Sequence, residues 1–379
     1  MSGVRDRERA CAAALVGLPG MTPVRLSLLL DGLGPTVAWS AVRAGSHPGD
    51  PSRRFAEPAR ATEPGEVARR YADAGVSVLL PGDRRYPAAL VGDAGAPAVL
   101  CAVGDPAVLE ARPAVALVGT RSATPYGAKV ASGLGRELAS AGVVVVSGLA
   151  RGIDAAAHAG ALAAGPDAAP PVAVVGTGLD VVYPKENRAL WRRVAASGAV
   201  LSEAALGTAA RPRVFPARNR IIAALSDVVV VVESHRDGGS LYTAEAAARR
   251  SIPVCAVPGS VFSHASAGTN DLLADGCTPV RDADDVLAAV ALARQGRGMS
   301  GPLPAARLRT GSRTDAARPA PAPADRVQRS VWEAVDDTPT SVETTLLRTG
   351  LSLAALLAVG EELVDQGLLT AGAGWWSRT

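Results

Sequence analysis

Five segments of this 379-residue chain combine glycine with hydroxyl, guanidinium or amide side chains. The first is Gly119-Thr120-Arg121-Ser122, followed by Pro125-Tyr126-Gly127. The second runs Ser147-Gly148-Leu149-Ala150-Arg151-Gly152-Ile153-Asp154. The third is Gly176-Thr177-Gly178-Leu179-Asp180, with Tyr183-Pro184-Lys185 and Asn187 beyond it. The fourth is Phe215-Pro216-Ala217-Arg218-Asn219-Arg220. The fifth extends from Glu233 through Gly238-Gly239-Ser240 to Thr243-Ala244-Glu245. Glycine lets backbone amides approach an anion, helix N-termini supply a positive dipole end, and hydroxyls and guanidinium groups add donors. One such loop is common to any tight turn. Several on one sheet edge point to a phosphate-bearing ligand.

Charge extends the pattern from a cradle to a track. Between Lys185 and Arg220 stand eight basic residues and only two acidic ones, Glu186 and Glu203. Tyr126, Tyr183 and Phe215 sit in or beside the glycine loops of a chain with 3% aromatics. They could stack on bases or simply pack, and their types alone do not decide. Catalytic groups are harder to find. No Gly-x-x-x-x-Gly-Lys-Ser/Thr loop occurs, and no Gly-x-Gly-x-x-Gly opens the first strand-to-helix turn. Asp154 and His158 are one helical turn apart, a spacing that suits a structural contact better than an acid–base pair. An enzyme is not expected, nor is a cofactor.

The elements that must position these loops follow from hydrophobic periodicity. Apolar runs at Val115–Val118, Val143–Val146, Val172–Val175, Ala199–Leu201, Asp227–Val232 and Ile252–Val257 alternate with helical segments. Valine-rich strands without alternation are buried on both faces. With helices between them, they predict a doubly wound, mostly parallel α/β sheet. Ligands then bind beyond the carboxyl ends of the strands. Ahead of the sheet, residues 1–70 read as a small helical module of helix-hairpin-helix type, with Gly32-Leu33-Gly34-Pro35 as its turn and a polar linker over Ser46–Gly65. Such a hairpin is a weak candidate for phosphate contact. Residues 75–287 form the sheet domain and 288–324 an Arg/Pro/Ala linker expected to be disordered. Residues 325–379 suggest a winged-helix module, whose eight acidic residues against four basic ones favour protein contact over phosphate.

Composition narrows the class. Hydrophobic residues are 48% and charged residues 20%, which suits a folded core. No uncharged apolar run approaches a membrane span, and the charged start Arg5-Asp6-Arg7-Glu8-Arg9 does not resemble a signal peptide, so a cytoplasmic protein is expected. Cys11, Cys101, Cys255 and Cys277 are scattered and predict neither disulfides nor a metal site. Only Lys129 and Lys185 are lysines beside a large excess of arginine, a bias that a GC-rich genome can also produce.

In order and content the loops closely resemble the DNA-processing protein A (DprA/Smf) family. The resemblance is carried by Gly119-Thr120-Arg121, Ser147 through Asp154, Tyr183-Pro184 with Asn187, Phe215 through Ile222, and Pro258-Gly259 with Gly268-Thr269-Asn270. Tyr86-Pro87, Leu90, Pro97 and Leu100 add to it upstream. It implies an extended Rossmann-like domain that binds single-stranded DNA without sequence preference. It further implies a homodimer through that domain, protection of incoming strands, and loading of the RecA recombinase during natural transformation. By motif, Arg121 is the leading DNA contact, followed by Lys185, Asn187, Arg218, Asn219 and Arg220, with Ser147 and Gly148 as phosphate donors. Gly119, Thr120, Ser122, Arg151, Gly176, Thr177, Gly178, Phe215, Gly239 and Ser240 complete the candidate DNA- and phosphate-binding set. Gly238 stands where the family commonly has serine, and Cys277 where alanine is usual. The alternative is a nucleoside-monophosphate phosphoribohydrolase on a related sheet. Its Pro-Gly-Gly-x-Gly-Thr string is matched by neither Pro258-Gly259-Ser260 nor Gly238-Gly239-Ser240 with Glu245. A protein-interaction scaffold with vestigial loops is a third reading.

Overall fold

The structure is a computed structural model and describes residues 2–110, 113–211, 214–296, 323–336, 340–372 and 375–378. The chain opens with helices α1 (Ser2–Val16), α2 (Pro23–Leu30), α3 (Pro35–Ala44), α4 (Ala56–Arg60) and α5 (Pro64–Asp73). Strands β1 (Ser77–Leu79), β2 (Leu100–Gly104) and β3 (Ala114–Gly119) follow. Then come α6 (Pro125–Ser140), β4 (Val144–Ser147), α7 (Ile153–Ala163), β5 (Val172–Val174), α8 (Arg188–Ser197), β6 (Ala199–Ser202) and α9 (Val214–Ala224). The sheet unit closes with β7 (Val228–Glu233), α10 (Leu241–Ala248), β8 (Val254–Ala256), α11 (Ala267–Ala274), β9 (Thr278–Pro279) and α12 (Ala283–Gly296).

The nine strands lie in the order β1-β2-β6-β5-β4-β3-β7-β8-β9. From β6 to β9 every pairing is parallel. Strand β2 runs antiparallel to both β6 and β1. The sequence reading did not identify β1 and β2 as strands. Strand β7 is buried along its whole length, as a central strand covered on both faces must be.

Two segments differ from expectation. The N-terminal helices do not form a module with a core of its own. Trp39, Val42, Tyr71, Val78, Cys101 and Val200 belong to one continuous apolar cluster that joins the helices to the sheet. The segment 46–65 is not a bare linker either. The Asp50 carboxylate accepts from the Arg54 and Phe55 amides at 3.0 Å each. His47 Nε2 meets the Leu29 carbonyl at 2.9 Å, and α4 and α5 follow directly. Four prolines mark turns and helix starts here, since proline at a first helical position lacks only an N–H that would be orphaned anyway. The turn at Gly34 is also not open to phosphate. Glu8 Oε2 accepts from the Thr36 amide at 3.1 Å, so a carboxylate already occupies the N-terminus of α3.

A separate small unit holds α13 (Arg326–Ala334), β10 (Thr340–Ser341), α14 (Val342–Thr349), α15 (Leu353–Asp365), β11 (Leu369–Gly372) and β12 (Trp375–Arg378). Its three strands pair in the order β10-β12-β11, a winged-helix arrangement. Asp325, Ser341 and Ser352 cap the three helices through their side chains. The start of the segment read as a linker, 288–324, lies in α12. Its stretch 297–322 is outside the described residues.

Helices α6 and α7 approach closely because small residues face each other. A Cβ at Gly160 would overlap the Ser132 backbone, whereas one at Gly133 would meet nothing within 4 Å. Gly160→Val should therefore lower stability by about 2 kcal/mol by overpacking, while Gly133→Ala should raise it by up to about 1 kcal/mol through helix propensity. Urea unfolding of the two variants checks both signs.

Candidate nucleic-acid interface

The chain winds outward from β3 through β4 and β5 to β6, then returns to place β7 on the other side of β3. Loops after β3 and β7 diverge there, and a crevice opens at the carboxyl edge of the sheet. This crevice is a cleft of about 570 Å3. Its walls come from Gly119, Thr120 and Arg121 after β3, from Asp154 at the start of α7, from Arg218 and Asn219 on α9, and from Gly238, Gly239, Ser240 and Thr243 around the start of α10. A second, much smaller pocket lies beside it, lined by Gly148, Arg151, Gly176 and Thr177. Arg121, Ala150 and Tyr183 belong to both.

Backbone bonds lock the loops together. The Thr120 amide donates to the Glu233 carbonyl at 2.7 Å, and the Ile153 amide donates to the Thr120 carbonyl at 3.2 Å. Gly152 makes this junction possible. It has φ +75°, and a Cβ there would overlap the Thr120 carbonyl oxygen. Asn187 Nδ2 donates to the Leu149 and Ala150 carbonyls at 2.9 and 3.1 Å. Asn219 Nδ2 donates to the Gly239 carbonyl at 3.1 Å. The two asparagines thus tie α9 and the turn before α8 to the loops that form the cleft wall.

Arg218 lies beneath the surface, only 4% exposed. Its Nη1 donates to the Val174 carbonyl at the end of β5. A Cβ at Gly148 would overlap its guanidinium, so glycine there leaves the space the side chain passes through. Burial pushes Arg218 down to about 10, and Asp154 opposes that shift. Burial likewise raises the Asp154 carboxyl, against the attraction of Arg218. Deeper still, His158 is fully buried with no partner for either ring nitrogen. Burial pushes it down to about 3. The spacing of Asp154 and His158 therefore yields no hydrogen bond between them.

Several sequence candidates occupy other places than expected. Ser147 is fully buried, and its hydroxyl donates to the Leu117 carbonyl at 2.6 Å rather than toward the cleft. The hydroxyl closes the β4–β3 junction from inside the sheet. Arg220 leaves the cleft altogether and pairs with Glu203 through Nη1–Oε1 at 3.0 Å and Nη2–Oε2 at 2.6 Å. On α9 it points a different way from Arg218, since residues two apart do not share a helix face. Thr177 donates its hydroxyl to the Val181 carbonyl at 2.7 Å. The Gly178 amide donates to the Thr208 carbonyl at 3.0 Å, so it too serves a loop. Lys185 and Ser122 are exposed, and neither lines the cleft. The Phe215 side chain lies outside the described residues. Tyr183, named above as a ring that could stack on a base, lines the cleft, and so do Asp154, Arg211, His235, Asp237 and Thr243, which were not chosen as contacts. Thr243 carried a usable signal, being in the first turn of the helix after Gly238-Gly239-Ser240.

Comparison with known proteins follows this geometry. A family profile described as DNA recombination-mediator protein A matches residues 77–291. DNA processing protein DprA of Bacillus subtilis is 36% identical over 220 residues, covering 58% of this chain and 73% of the relative. The Streptococcus pneumoniae protein of the same name is 44% identical over 180 residues, covering 46% and 61%. The solved S. pneumoniae structure superposes with TM-score 0.63 at 34% identity, covering 73% of this chain and 95% of that one. A structure of the Helicobacter pylori protein, described for its single-stranded DNA binding mode, gives TM-score 0.50 at 31% identity, covering 58% and 96%.

The buried His158 makes a pH prediction. Its folded value of about 3 lies below the ordinary 6.5, so the unfolded chain binds the proton more readily. Stability contributed by neutral His158 is complete above 6.5 and is lost as pH falls toward 3, with the unfolding constant rising up to about tenfold per pH unit. The raised Asp154 acts in the opposite direction, so the comparison needs a variant. His158→Leu should gain stability over the parent progressively between pH 6.5 and 4. Urea midpoints of both proteins at pH 7, 5.5 and 4.5 measure this, and a constant difference would refute it.

Proposed function

The chain belongs to the DNA recombination-mediator protein A family, and on that footing we propose that it binds single-stranded DNA along the carboxyl edge of its sheet and acts in recombination without catalysing a reaction. The observation that carries the reading is the meeting of two adjoining pockets at Arg121, which is exposed and lines both. Phosphates following one another along a strand need such adjoining sites. Arg121, Arg151, Arg211 and Lys185 supply positive charge at exposed positions along this edge. Tyr183, 41% exposed, offers a ring face beside the phosphate loops. Every base has a face to stack, so sequence tolerance follows, and a duplex that keeps its bases inward gains nothing from the ring.

The finer reading is family-based. We infer that the bound strand is protected and handed to the RecA recombinase, and that two chains pair through the sheet domain. The relative from H. pylori supports the strand reading by its described binding mode. The site residues divide into contacts and supports. Arg121, Arg151, Lys185, Asn219, Gly239 and Ser240 meet the strand. Ser147, Thr177 and Asn187 shape the loops that do, and Arg218 lies buried in the cleft wall.

Arg121→Ala should weaken binding of an unphosphorylated oligothymidylate by about tenfold at low salt, equally for other sequences, and reduce the salt slope by about one contact. Fluorescence anisotropy over a salt series, with single strand and duplex in parallel, provides the check. An unchanged slope, or equal affinity for duplex, would sink the assignment.

A further inference from the structure

Two polar atoms in the cleft lack a hydrogen-bond partner although they are buried, Thr243 Oγ1 and Arg218 Nε. Thr243 is 1% exposed and lies in the first turn of α10. Both residues line the cleft. Folded proteins leave few buried donors unpaired, because each costs about 1–3 kcal/mol. Both donors belong to residues that line the same cleft. The positive end of the α10 dipole and the Gly238-Gly239-Ser240 turn border that space too.

We propose that the cleft is an end-recognition site for a phosphate monoester, either the phosphorylated terminus of a strand or a free nucleotide. The inference rests on reading the cleft as phosphate-binding and adds which phosphate it takes. An internal phosphodiester has chain on both sides and carries one negative charge. It presents two free oxygens to the protein, whereas a monoester presents three. A monoester hangs from one ester bond, so it can enter a concave site end-on and reach donors at its floor. Its second negative charge suits the Arg121 and Arg218 guanidinium groups. A cleft of about 570 Å3 is of the size that holds one small ligand. Two carboxyl groups line it as well. Asp237 is exposed to solvent, and Asp154 is buried, with burial raising its carboxyl against the attraction of Arg218.

The test uses the full chain and oligothymidylates carrying a 5′-phosphate, a 3′-phosphate or no terminal phosphate, read by fluorescence anisotropy. Thymidine monophosphate and thymidine serve as competitors. A phosphorylated end should bind about tenfold tighter, the scale of a hydrogen bond to a charged group, and Thr243→Val should cut that ratio several-fold. Thymidine monophosphate should displace the strand where thymidine does not. An end advantage without displacement identifies the strand terminus as the ligand, and displacement without an end advantage identifies the free nucleotide. Neither effect, with salt-sensitive binding of all three strands alike, would overturn the inference and leave the strand-binding reading standing. Calorimetric binding of thymidine monophosphate by a chain that binds no strand would do the reverse.

Discussion

A guanidinium enclosed under a sheet edge has to be accommodated on every side, and Arg218 sets that requirement for the carboxyl edge of this protein. Removing a cation from water costs several kcal/mol unless neighbouring groups compensate. Strand β5 contributes the Val174 carbonyl, and Asp154 contributes a negative charge from the first turn of α7. Gly148 must be glycine for the side chain to fit. His158 sits nearby without a partner and is held neutral by burial, a state that avoids a second buried cation beside Arg218. Gly148 and Asp154, both in the second glycine-rich segment, and the end of β5 therefore answer to one side chain of the fourth. The loops are arranged around a buried charge before any ligand arrives.

This arrangement explains why residues with the chemistry of phosphate ligands divide into two groups. A hydroxyl or amide at the end of a central strand is already surrounded by backbone carbonyls that need donors. Ser147, Thr177 and Asn187 satisfy them. Residues one step further along the loops, such as Arg121 and Arg151, reach the surface. The supporting group is as necessary as the contacting group. Preorganised donors bind an anion without the cost of ordering the loop that carries them.

The sheet was legible because valine runs bounded by glycine leave little alternative. Strand β7, six consecutive buried residues, is the clearest case. Strand β2 was not legible. It pairs antiparallel beyond β6, and its Leu100-Cys101-Ala102 run stands apart from the strand–helix alternation that marks the others. The segment 46–65 was misread as well, since four prolines suggest a linker while the carboxylate of Asp50 folds them into a turn. At the site, residue types identified the loops but not the direction of each side chain. Arg218 and Arg220 are two residues apart in one motif, yet one enters the cleft wall and the other pairs with Glu203. That choice depends on Glu203, which lies just past β6, distant in sequence from both the motif and the neighbouring loops. No local pattern records it.

Electrostatics also limits where a strand can continue beyond the sheet edge. The N-terminal hairpin has the glycines of a phosphate-binding turn, but Glu8 already fills the N-terminus of α3. A phosphate there would have to displace an internal carboxylate and approach its charge. The C-terminal unit carries eight acidic residues against four basic ones over 325–379, and a polyanion meets net repulsion at such a surface. By contrast, residues 291–324 carry six arginines against one aspartate. One of the six, Arg294, lies in α12 and pairs with Asp227 at 3.3 Å, so that charge is already neutralised within the fold.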